Sequence, residues 1–106
     1  MAENIAFLVY VPRMKILDLV IPKSLGIAND FKETDKKLIE RDKSDSSIIG
    51  SIRYSSNKSM KELAEEFSIK YNGNILEHEY ECDVRFPVEQ KGFIEKVFND
   101  YFKNIQ

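Results

Sequence analysis

The sequence predicts an α/β (α+β) fold, a two-layer sandwich in which a mixed four-stranded sheet carries its helices on one face, in the order β-β-α-β-α-β-α. Three observations carry this prediction. Residues 75–86 alternate apolar with ionic side chains, residues 5–11 form an unbroken apolar run, and residues 59–71 and 93–105 repeat apolar side chains at helical spacing. All 106 residues are expected to form one globular domain, because 42% hydrophobic content at this length supplies a core without metals or disulfides.

Ile5, Ala6, Phe7, Leu8, Val9, Tyr10 and Val11 are rich in β-branched and aromatic types, which suits a strand covered on both faces near the sheet centre. Pro12 and Arg13 interrupt it. Residues 14–21 resume with Ile16, Leu17, Leu19, Val20 and Ile21 until Pro22, so a β-hairpin is expected. Pro22, Ser24, Gly26 and Asn29 mark a loop, and Asp30 suits the N-cap of a helix bearing Phe31, Leu38 and Ile39. The apolar stripe of that helix is thin, and the mixed charges of residues 30–45 read as a solvated surface rather than a docking arm.

Ile48, Gly50, Ile52 and Tyr54 alternate with Ile49, Ser51, Arg53 and Ser55 as a third strand, whose interior Gly50 signals a bulge or a close backbone approach. Ser59 and Glu62 have capping-box spacing, and Met60, Leu63, Ala64, Phe67 and Tyr71 follow on one helix face. Asn72, Gly73 and Asn74 supply a left-handed stop. Residues 48–86 thus read as strand, helix and strand, a crossover unit that ordinarily joins parallel neighbours. In its last strand, Leu76, His78, Tyr80, Cys82, Val84 and Phe86 are assigned to the core. Ile75, Glu77, Glu79, Glu81, Asp83 and Arg85 fall on an open, solvated face. Pro87 opens the last helix, where Phe93, Ile94, Val97, Phe98, Tyr101, Phe102 and Ile105 form a broad apolar face and Gly92 marks the start of the regular helix.

A net charge of -2 gives no global attraction for nucleic acid. Glu62, Glu65 and Glu66 dilute the small basic patch that Lys58, Lys61, Lys70 and Arg53 could form beside Tyr54 or Tyr71. Cys82 stands alone, which excludes an intramolecular disulfide and a Cys-x-x-Cys pair and fits a reducing, cytoplasmic location. No apolar stretch reaches the roughly 20 residues of a membrane span and no leader pattern opens the chain, so a soluble, unexported protein is expected.

Phosphate loops, dinucleotide fingerprints, nucleophile elbows and His-Glu-x-x-His motifs are absent. His78 and Cys82 share a strand face, but four residues along a strand is about 13 Å, too far for shared coordination or a hydrogen bond. A buried thiol and a core imidazole are the better reading. No catalytic, metal or cofactor residue is assigned, and the chain is expected to work by binding rather than turnover.

Glu77, Glu79, Glu81 and Asp83 are the chemistry-bearing feature. Neighbours on one strand face stand about 6.6 Å apart, so a divalent metal would need ligands from elsewhere. An open face also lacks the desolvation that separates two carboxylate pKa values for acid-base work. Four acids against Arg85 leave a local charge of -3 over residues 75–86, larger than that of the whole chain. Arg53 and Arg85 are expected to relieve part of the repulsion. The charge pattern therefore nominates these four residues as a recognition surface for a basic protein partner.

In size, in its lysine, isoleucine and asparagine usage, and in the paired aromatics of its last helix (Phe93, Phe98, Tyr101, Phe102), the chain resembles the small immunity proteins of bacterial toxin systems, including those of contact-dependent inhibition. The resemblance implies a tight, stoichiometric complex with a cognate toxin, often a basic nuclease whose active site is covered by an acidic surface. It transfers no site residue by motif. Two other functions stand beside it: a small enzyme or ligand-binding domain with Glu62, His78 or Tyr80 convergent at the strand ends, and a homo-oligomeric regulatory module that self-associates through an edge strand or the last helix.

Overall fold

The structure, a computed structural model, describes residues 3–21, 46–55, 58–76, 80 and 82–104. The helix expected over residues 30–45 lies outside them. Strands β1 (Glu3–Val11) and β2 (Ile16–Ile21) form the expected hairpin, with Leu8 opposite Leu19 and Val11 opposite Ile16. Its connection runs from Pro12 to Lys15, closed by the Lys15 N–H donating to the Pro12 carbonyl at 3.2 Å, with Lys15 left-handed at φ 55°. Proline suits the first position, where the turn asks only for its carbonyl.

Strand β3 (Ser47–Ser55) adds to the outer side of β1, and β5 (Cys82–Phe86) to the outer side of β2. The two-residue β4 (Asn74–Ile75) pairs outside β5. The result is α+β: among the described residues, a five-stranded sheet in the order β3-β1-β2-β5-β4 with every pairing antiparallel, rather than a mixed four-stranded one.

This arrangement corrects two expectations for residues 75–86. They are not one strand, because Asn74 pairs with Arg85 and Ile75 with Val84, so the chain doubles back as an edge hairpin. The alternation holds within β5, but its extension to Ile75 spliced together two strands of opposite direction. Nor do residues 48–86 join parallel neighbours. The β1-β2 hairpin occupies the middle of the sheet and leaves β3 and β5 its outer sides, antiparallel to each other.

Helices α1 (Met60–Tyr71) and α2 (Lys91–Asn104) cover one sheet face. Leu63, Ala64 and Phe67 of α1 and Ile94, Phe98 and Phe102 of α2 are buried against Ala6, Leu8, Leu17, Leu19, Ile21, Cys82, Val84 and Phe86. Phe67 is the hub, edge-on to Phe86 at 5.4 Å and packed against Tyr101 and Phe102 at 4.9 and 5.9 Å between ring centroids.

Gly50 fulfils both of its signals. Leu8 stands opposite Gly50 and Val9 opposite Ile48, so Ile49 is the extra residue of a β-bulge. The bulge also corrects the simple alternation, since Ile48 joins the cluster on the far face while Ile49 and Ile52 pack with the helices. A Cβ at Gly50 would stand 3.2 Å from Phe98 Cε2, tight enough to explain the missing side chain.

The opposite sheet face is not open. Ile5, Phe7, Val9, Val11 and Val20 are all 6% exposed or less, and Ile16, Ile48 and Tyr80 pack against them. The reason is already in β1, whose unbroken apolar run puts hydrophobic side chains on both faces and makes a polar second face costly.

Candidate partner-binding surface

The acidic stretch lies between α1 and α2, so it depends on how α1 ends. Ser59 Oγ accepts the Glu62 N–H at 3.1 Å, the serine half of the expected box. At the other end Asn72 takes the left-handed conformation (φ 59°, ψ 40°), and the Asn72 and Gly73 N–H groups both donate to the Ser68 carbonyl. The buried Ser68 Oγ donates back to Gly73 O at 2.6 Å. Gly73 is there for a different reason from the one the sequence suggested. Its backbone is not left-handed, but a Cβ would lie 2.5 Å from Val84 Cγ1 and 2.7 Å from Phe86 Cε1. The bare backbone lets α1 turn directly into β4 against the core side of β5.

Asp83 and Arg85 point to the second sheet face. Asp83 pairs in register with Val20 and is fully buried, which corrects its assignment to a solvated surface. Arg85 stands directly opposite Asp18 and holds it in a two-point fork, Nε to Oδ1 at 2.9 Å and Nη2 to Oδ2 at 3.1 Å. Asp18 is fully buried, while the Arg85 side chain keeps 39% exposure. The hydrogen bond to Asp18 raises the Arg85 pKa above its ordinary value; burial opposes this, and the nearby charges of Asp18 and Asp83 reinforce it.

Asp18 escaped the sequence reading, although a signal was present. It is the single carboxylate in Ile-Leu-Asp-Leu-Val-Ile, where a strand covered on both faces demands a buried cationic partner. Arg85 relieves Asp18 directly and Asp83 through its nearby charge.

Glu77, Glu79, Glu81 and His78 lie outside the described residues, in the connection between β4 and β5. The Leu76 N–H donates to Asp83 O at 2.8 Å across the ends of that connection, and Tyr80 within it, expected on the Cys82 side, packs instead against the far-face cluster. Cys82 is buried among the helix-facing core residues, as a small structural thiol would be. Glu62, on α1, and Tyr80 sit on opposite sides of the sheet, so the structure does not bring these two together.

Lys58 is committed to Glu66 at 2.8 and 3.1 Å, and Tyr101 donates to the same carboxylate at 3.0 Å, which ties the start of α1 to α2. These bonds, from Lys58 first and Tyr101 second, lower the Glu66 pKa. Burial, more than the Glu66 bond, pushes the Tyr101 phenol up to about 12. Among the described residues, no group of three His, Cys, Asp or Glu side chains could hold a metal ion, and no helix is long and apolar enough to cross a membrane.

No family model, curated protein or solved structure matches this chain. The functional reading therefore rests on the chemistry of the edge hairpin.

Proposed function

We propose that the chain is a cytoplasmic protein-binding module that neutralises a cognate partner, an immunity protein that covers the active or binding surface of a basic bacterial toxin domain. One observation carries this reading. Glu77, Glu79 and Glu81, with no lysine or arginine among them, are concentrated between the two strands of an edge hairpin, a local charge of -3 against -2 for the chain. The Leu76 N–H to Asp83 O bond closes the hairpin on either side of this segment, and Tyr80 within it packs against the far-face cluster. Charge at such a site acts mainly on encounter rate and partner choice.

The test is affinity capture from the native cell with the wild type and with the triple variant Glu77→Gln, Glu79→Gln, Glu81→Gln, followed by kinetics on any captured partner. A single basic partner in stoichiometric amount is expected. The variant should associate at least about tenfold more slowly at low salt, with a flatter salt dependence. Equal association rates for both proteins would refute the acidic surface. Absence of a partner together with concentration-dependent mass in solution would transfer the function to self-association.

A further inference from the structure

No further inference is drawn: the strongest candidate, the aromatic patch where exposed Phe93 at the start of α2 meets half-buried Tyr71 at the end of α1, is an unpartnered apolar surface, and nothing in the structure shows what covers it.

Discussion

Replacing Gly73 with alanine tests the joint between α1 and the edge hairpin. The added Cβ would stand 2.5 Å from Val84 Cγ1 and 2.7 Å from Phe86 Cε1, where ordinary van der Waals contact begins at 3.4 Å. Roughly 1 Å of displacement is needed, and neither neighbour is the loose end of a flexible chain. Val84 and Phe86 are both buried, and Phe86 is pinned edge-on by Phe67. Overpacking of this kind costs about 1–3 kcal/mol. The smaller conformational freedom of alanine in the unfolded chain returns about 0.4–1 kcal/mol. A net loss of about 1–2 kcal/mol corresponds to a Tm lower by roughly 5 to 10 °C in a domain of this size, measured by circular dichroism. Gly92→Ala is the control, since a Cβ there meets nothing within 4 Å and should raise stability by about 0.5–1 kcal/mol. A Gly73→Ala protein as stable as the wild type, beside a stabilised Gly92→Ala, would refute the packing argument.

Other perturbations probe the core and the charges. Phe67→Ala and Phe98→Ala should each lose about 3–5 kcal/mol in urea unfolding, whereas Phe93→Ala, with its ring 55% exposed, should stay within about 0.5 kcal/mol. Arg85→Ala should cost about 2–4 kcal/mol by the same assay, below the full penalty for breaking a buried pair because Arg85 is partly screened by solvent. The Tyr101 pKa is raised from 10.0 to about 12, so its contribution is complete below pH 10 and is lost as pH rises through about 12. Tyr101→Phe should therefore flatten the alkaline loss of stability, followed by denaturant midpoints from pH 9 upward. The lowered Glu66 pKa works in the opposite direction, with a contribution lost as pH falls through it. Glu66→Gln should weaken the acid dependence of the midpoint at low salt.

Local signals in the sequence translated well where one segment decides its own conformation. The Ser59 cap, the Gly50 bulge, the Asn72 stop and most of the buried helix faces follow from spacing and propensity, but Phe93, assigned to the apolar face of the last helix, is 55% exposed, and Ile105 lies outside the described residues. Long-range choices did not translate. Alternation over residues 75–86 is equally compatible with one long strand and with two short ones folded back, because a period of two carries no information about direction. The hairpin is chosen by contacts the period cannot report: Gly73 close against Phe86, and Ile75 paired with Val84. Sheet order was hidden for the same reason, since β1 offers two apolar faces and two free edges and only its partners decide which strands take them.

The candidate site divides along this line. Asp83 shares a period with Glu77, Glu79 and Glu81 and is itself buried opposite Val20, beside the Asp18-Arg85 fork. Removing its charge would alter the electrostatic balance of a covered sheet face, so an Asp83 variant that loses a partner could have lost its fold first. Neutralising the three glutamates while retaining Asp83 keeps both charges of the Asp18-Arg85 fork in place. If that triple variant keeps its melting temperature and loses its fast, salt-sensitive association, the carboxylates act on a partner. If it melts lower as well, at least one glutamate belongs to the fold as Asp83 does, and the binding surface must be sought elsewhere on the chain.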